Sequence, residues 1–316
     1  MNAPSPAGPQ GLSACAQPWI QAARPAAFPM IFFPLLIGQA FAYQAHGQLG
    51  TVLFLKTLLF GMFYQVYLLY TNDHADQNID RTNTQYWLSG GSRVLPDGLL
   101  RSESLLAGAR IALLALLGLT LSLAILSDRL WMPLGTLLAV FLCWAYSRPP
   151  LQWSYRGHGE ILQGLGCGVL LPLIGYYMQT GSLQQFPLGV LFPLYLLFYV
   201  SNIVTALPDY RSDRAGGKRT YPVRHGQRNA RLTVVAVLAL TCLGILLVAP
   251  GASWIQLVVI VAPACIILTT IITSGLLHRA SVDNFPACKS FVTWVSASQV
   301  WLLCAWTGMV VIEGAR

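Results

Sequence analysis

The sequence predicts an all-α, polytopic membrane protein with nine transmembrane helices. Three observations carry that expectation. Of 316 residues, 55% are hydrophobic and only 9% are charged, where an ordinary soluble domain carries about 25% charged residues. The apolar residues fall in runs of roughly 20, enough to cross a hydrocarbon core of about 30 Å. The basic residues are concentrated in alternate connections between those runs. A chain this poor in polar side chains cannot cover a soluble globule of its size. Composition thus excludes a soluble enzyme, a disordered chain and a nucleic-acid reader, despite a net charge of +8.

Residues 1–25 are rich in Ala, Pro and Gln and read as a polar, interfacial N-terminal segment. No basic stretch precedes an apolar run there, so a signal peptide is not expected; a short surface helix leading into Arg24-Pro25 is. Residues 26–312 form one membrane domain. Its first span is Ala26–Ala45, and its second, Gly50–Thr71, runs into the acidic segment Asn72–Asp80. The third is Glu103–Ser127. The fourth, Leu130–Tyr146, is short and gives way to Tyr146-Ser147-Arg148-Pro149-Pro150. The fifth, Glu160–Thr180, contains Gly164-Leu165-Gly166-Cys167-Gly168, which suits close helix packing because no strand precedes it. The sixth, Phe186–Leu207, leads into a second acidic segment at Asp209. Pro172 and Pro193 are expected to kink the fifth and sixth spans. Leu232–Pro250, Ser253–Ser274 and Ser290–Ile312 complete the set.

All of the nineteen basic residues except Lys56, Arg129 and Arg316 fall on the side of the N-terminus and of the connections after the even-numbered spans. The positive-inside rule makes that side cytoplasmic and puts the C-terminus outside. All of the eleven acids except Asp128 and Glu313 share that side, although topogenesis does not require it. The chain is thus expected to carry a polar functional cap on its cytoplasmic face, built from residues 72–102, 147–159 and 208–231. The seven cysteines are scattered without a C-x-x-C, and most act as small hydrophobes in apolar runs.

The acids of the cap are ordered. On a helix turning about 100° per residue, Asp73, Asp76 and Asp80 fall within a sector of about 60°. Asp209 and Asp213, four apart, share a face in the same way. Stacked like charges near a membrane are costly. Either Arg81, Arg211, Arg214 and Lys218 neutralise them in a salt-bridge network, or divalent metal ions do. Oxygen ligands without His or Cys at ligand spacing suit Mg²⁺, which binds through a few carboxylates plus substrate phosphates. Ser89-Gly90-Gly91-Ser92-Arg93 follows the first cluster and Arg214-Ala215-Gly216-Gly217-Lys218-Arg219-Thr220 the second. Glycines let backbone amides approach an anion, and Arg and Lys supply fixed charge. Carboxylates, Mg²⁺ and cations together make a diphosphate clamp. Tyr146 and Arg148, where the fourth span ends, are placed to face the same cap.

These residues resemble the UbiA-type intramembrane prenyltransferases. Asn72–Asp80 fits their N-D-x-x-D-x-x-x-D motif, and Asp209-x-x-x-Asp213 fits their second aspartate motif. Asp213-Arg214 followed by Gly217-Lys218-Arg219-Thr220 is similar to what comes after it, and Arg24-Pro25 and Tyr146–Pro150 look like family features. The match covers about residues 20–312. The resemblance implies nine helices around a central cavity open laterally to lipid. It implies transfer of a prenyl chain from a polyprenyl diphosphate to a small aromatic acceptor within the bilayer of the inner membrane. On that pattern Asp73, Asp76 and Asp80, with Asn72, bind one Mg²⁺–diphosphate end, and Asp209 and Asp213 the other. Arg93, Arg148 and Lys218 are the cationic contacts. Tyr146, Tyr176 or Tyr177 face the allylic cation in an apolar cavity that excludes water.

Tyr146–Pro150 and Tyr155-Arg156-Gly157 look closest to the branch that prenylates 1,4-dihydroxy-2-naphthoate in menaquinone synthesis. Leu207-Pro208 ahead of Asp209 departs from that branch's pattern. Other acceptors (4-hydroxybenzoate, homogentisate) and terpene cyclisation are the alternatives on the same scaffold. A transporter using the acids as an ion site is the alternative of a different class. Transport sites usually lie at broken helices near the midplane, whereas these acids cluster at one face.

Overall fold

The computed structural model describes residues 12–83, 91–249 and 252–316. Ser89 and Gly90 of the first glycine-bearing loop, the first eleven residues and Pro250 lie outside that set. Among the described residues there is no β-strand. The helices, in chain order, are α1 (Leu12–Ala23), α2 (Pro29–His46), α3 (Thr51–Thr82), α4 (Ser102–Leu126) and α5 (Met132–Ser147). They continue with α6 (Gly159–Thr180), α7 (Leu188–Ala206), α8 (Tyr210–Ala215), α9 (Tyr221–His225) and α10 (Gln227–Val248). The last three are α11 (Trp254–Thr273), α12 (Leu276–Arg279) and α13 (Phe285–Gly314).

Seven of the described helices are long and apolar enough to cross a membrane: α3, α4, α6, α7, α10, α11 and α13. The first expected span is α2, which together with α1 makes an eighth, bent by 55°. The bent pair breaks between Ala27 and Pro29, just after Arg24, whose φ of 45° is left-handed, and Pro25, which cannot continue the ladder of α1. The fourth expected span is α5. With 16 residues it rises only about 24 Å, short of the core thickness, so the count of nine rests on this helix. α3 is the opposite case. Its 32 residues rise about 48 Å, so the last turns, which hold the acids, pass the hydrocarbon and reach the polar face.

Packing follows small residues. α2 and α6 lie against each other so closely that a Cβ on Gly38 would strike the Pro172 carbonyl, and one on Gly175 the Leu35 carbonyl. Ahead of Pro172 the helix widens into a π-helical turn over Gly164–Leu170, and regular α-helix resumes at Leu171. Pro193 falls in the first regular turn of α7, behind the 3-10 segment Leu188–Val190, where a missing N–H costs little. The outward faces carry exposed Ile111, Leu114, Ile125, Leu247, Ile255 and Ile266, the pattern of a surface solvated by lipid tails.

Candidate active site

α2, α3, α5, α6 and α7, with the loop after α8, surround a cavity of about 270 Å³. Its walls are of two kinds. Toward the end where α3 emerges they are ionic: Asp76, Asp80, Asp209, Asp213, Arg24 and Lys218. Deeper they are apolar: Met30, Ile31, Leu68, Leu69, Leu142 and Leu162. One end suits a polyanion with its counter-ions, and the other suits a hydrocarbon.

Each acid is held by a specific set of donors. Asp76 accepts from Lys218 Nζ at 2.9 Å, Tyr155 Oη at 2.6 Å and Asn72 Nδ2 at 3.0 Å. Asp73 is buried and does not line the cavity. Arg24 and the Ser92 hydroxyl bond its carboxylate, and the Ser92 backbone N–H does so at 3.3 Å. Asp80 lines the cavity beneath Gly91, where any Cβ would collide with its carboxylate and where φ is +76°. The glycine is thus a steric requirement of this acid. Asp209 precedes α8 and accepts from Asn83 Nδ2 at 2.8 Å, while Asp213 accepts from Thr220 Oγ1 at 3.0 Å.

Lys218 joins the two acidic segments. It follows the second, yet its ammonium bonds Asp76 of the first and lies 5.3 Å from the centre of the Tyr155 ring. The turn at Gly217, φ +72°, and the Lys218 N–H to Asp213 carbonyl bond of 2.8 Å fix that reach. Burial alone pulls the Lys218 pKa down, but Asp76 and Asp213 outweigh it and hold the ammonium well above its usual range. Burial, reinforced by the neighbouring Asp209 charge and only partly relieved by Lys218, pushes the Asp213 carboxyl up to about 7.

The remaining expected residues divide. Tyr146 lines the cavity, and its hydroxyl accepts from Asn202 Nδ2 at 3.0 Å. Arg93 does not line it. Its guanidinium bonds Asp97 at 2.7 Å and the Asp80 carbonyl at 2.7 Å, bracing the loop after α3. Arg148 caps the end of α5, one residue beyond the cavity-lining Ser147. Tyr176 and Tyr177 lie near the other end of α6. Tyr176 packs edge-on against Phe186 with centroids 5.1 Å apart, and the Tyr177 hydroxyl accepts from the Trp131 N–H at 3.2 Å. Neither reaches the cavity. Of the four cations weighed as neutralisers, Lys218 pairs within the cluster, and Arg211 pairs outside it with Asp283. Arg24 supplies the second internal pair and lines the cavity with a buried Nε that has no partner. Its motif with Pro25 was visible, but its meeting with Asp73 depends on the bend between α1 and α2.

The donor chemistry fits a hard divalent cation: carboxylate oxygens from two segments facing one cavity. In this arrangement no three His, Cys, Asp or Glu side chains among the described residues converge on a common ion position. Asp73 and Asp76 spend their oxygens on Arg24, Lys218 and neutral donors instead.

Comparison with known proteins decides the family. The model of the UbiA prenyltransferase family matches residues 31–293. The chain belongs to the UbiA prenyltransferase family. It is an enzyme that transfers prenyl groups, and an integral multi-pass membrane protein. Among curated relatives it is similar to a 1,4-dihydroxy-2-naphthoate octaprenyltransferase of Bacillus subtilis, with 23% identity over 77% of this chain and 78% of that one. It is also similar to a 2-carboxy-1,4-naphthoquinone phytyltransferase of Synechocystis, with 27% identity over 82% of this chain and 83% of that one. Among solved structures, a UbiA homologue from Archaeoglobus fulgidus bound to DMAPP and Mg²⁺ superposes with a TM-score of 0.65 at 20% identity. That match covers 93% of this chain and 99% of the homologue, and it establishes the fold.

Proposed function

We propose that this UbiA-family enzyme moves a polyprenyl chain from its diphosphate to a naphthoate-type aromatic acceptor, with Mg²⁺, in quinone biosynthesis. The observation that carries the reading is the single cavity with carboxylates and cations at one end and an apolar wall below. The names of the curated relatives support the acceptor class, and the Mg²⁺ and DMAPP held by the Archaeoglobus homologue support the donor class.

Asp76, Asp80, Asp209 and Asp213, with Asp73 behind them, are the residues that would hold Mg²⁺. When bound, the metal supplies positive charge to the diphosphate as the allylic C–O bond lengthens. The protein's own part follows from its geometry. Lys218 and Arg24 add fixed cations at the mouth of the cavity, aimed where negative charge develops on the leaving group. With Asp76 among the residues that would hold the metal, the Lys218 ammonium beside it is positioned to donate to the diphosphate instead. Tyr155 and Asn72 keep Asp76 oriented throughout. The apolar wall takes the prenyl tail and excludes water, which would otherwise capture the allylic cation. The Tyr146 ring supplies an aromatic face in the cavity. The cap face is the cytoplasmic one, with the N-terminus inside and the C-terminus outside, on the positive-inside count.

The test is acceptor dependence. Purified protein in nanodiscs receives Mg²⁺, a C20 or longer prenyl diphosphate, and 1,4-dihydroxy-2-naphthoate, 4-hydroxybenzoate or no acceptor. Lipid products are identified by mass. A prenylated naphthalene supports the reading. Prenylated hydroxybenzoate moves the acceptor elsewhere in the family, and diphosphate release without an aromatic product refutes aromatic transfer.

A further inference from the structure

Gln65 lies on the face of α3 that bounds the cavity. Relative to it, Leu69, Asn72 and Asp76 sit within about 40° around the axis, and all four line the cavity. The helix rise places Gln65 about 10 Å below Asn72, beneath the apolar belt of Leu68 and Leu69. Its side chain is 1% exposed, and its amide nitrogen has no hydrogen-bond partner. A buried amide without a partner is costly, and apolar side chains elsewhere on this wall avoid that cost. Across the cavity, α6 leaves room. Gly164 and Gly168 press against Tyr195, but Gly166 lines the cavity and a Cβ there would meet nothing within 4 Å.

The two substrates differ in what they offer such an amide. A prenyl tail carries no hydrogen-bonding atom. The diphosphate belongs among the carboxylates and cations, about 10 Å away along α3. The aromatic acceptor alone brings oxygen to the deeper cavity. A fused two-ring acceptor, with a hydrogen bond of about 2.9 Å at its far end, spans the gap from the reacting carbon. A carboxamide can donate to a carboxylate or accept from a hydroxyl, so it serves either kind of ring substituent.

We infer that Gln65 is a specificity-determining residue that hydrogen-bonds a ring oxygen of the aromatic acceptor, with Gly166 leaving space for the second ring. This inference rests on the aromatic-transfer reading above. The test uses full-length enzyme in nanodiscs and the volume-matched variant Gln65→Met. In the variant, the acceptor KM rises about tenfold, while the prenyl diphosphate KM, the Mg²⁺ requirement and the thermal midpoint stay at wild-type values. A set of naphthalene analogues, each lacking one oxygen substituent, is then measured as competitive inhibitors. Wild type loses about tenfold in Ki for one of them, and Gln65→Met treats that analogue and the parent alike. As a second variant, Gly166→Val weakens two-ring acceptors more than single-ring ones. A Gln65→Met enzyme that keeps wild-type discrimination across the analogues overturns the inference alone. A wild type that prenylates no aromatic acceptor overturns both it and the functional reading.

Discussion

Replacing Lys218 with Met tests the link between the two acidic segments. Lys218 and Asp76 side chains are 11% and 9% exposed and 2.9 Å apart. Removing one partner of such a pair leaves the other charge buried, at a cost of about 3–5 kcal/mol. The lower end applies here, because Tyr155 and Asn72 still donate to Asp76. At about 2 °C per kcal/mol for a large chain, Lys218→Met lowers the thermal midpoint in detergent by about 6 °C. Asp76→Asn lowers it as well, since it strands the ammonium. The double variant loses less than the sum, with a coupling of about 2 kcal/mol, because both charges are gone. In the transfer assay Lys218→Met costs about a hundredfold in kcat/KM, as expected when one fixed charge is withdrawn from a developing anion. A midpoint within a degree of wild type, with additive single variants, would refute the pairing. Full activity would refute the role of Lys218 at the leaving group.

Three further outcomes follow from the geometry. Gly91→Ala forces a Cβ into the Asp80 carboxylate at a left-handed φ, so turnover collapses while Gly98→Ala, equally left-handed but with open space around it, loses only about 1 kcal/mol of stability. The raised Asp213 pKa sets a pH dependence. Between its ordinary 3.8 and about 7, the metal-free native state binds a proton the unfolded chain has lost. Stability therefore falls as pH rises through that window. On the proposed function Mg²⁺ would displace the same proton, so its apparent affinity, followed by calorimetry, rises up to about tenfold per pH unit toward pH 7 and levels off above it; a flat profile would contradict that role of Asp213. Finally, Tyr177→Phe costs about 1 kcal/mol of stability through the lost bond to Trp131 and leaves kcat unchanged; a loss in kcat would place Tyr177 in the chemistry.

What the sequence revealed and what it hid have physical causes. The acids were legible because both segments follow apolar runs and repeat at helical spacing, so one face and one membrane side follow from angles alone. Lys218 was legible as a cation, but not as the partner of Asp76, because the two are 142 residues apart. No periodicity within either segment encodes that meeting. Arg93 and Arg148 are the converse case. Both stand next to cap motifs, but neither lies on a helix whose angles would place it. Arg93 is in the loop after α3 with φ 69°, and Arg148 follows the last turn of α5 in extended backbone, so Ser147 lines the cavity and Arg148 does not. Tyr176 and Tyr177 sit on a span that borders the cavity, but more than two turns beyond Cys167, its last cavity-lining residue, in contact with Phe186 and Trp131. Arg24 shows what a tertiary bend adds. It stands 49 residues from Asp73, and only the turn between α1 and α2 brings it over the cavity. The cap therefore takes its acids from helix ends, where periodicity announces them. Its cations come from a bend and a loop, where only the folded chain does. In the folded chain Asp73 is matched to Arg24 and Asp76 to Lys218, which limits the cost of holding five carboxylates together at the edge of a membrane. On the proposed function, a diphosphate would bind by exchanging partners within that preformed charge cluster.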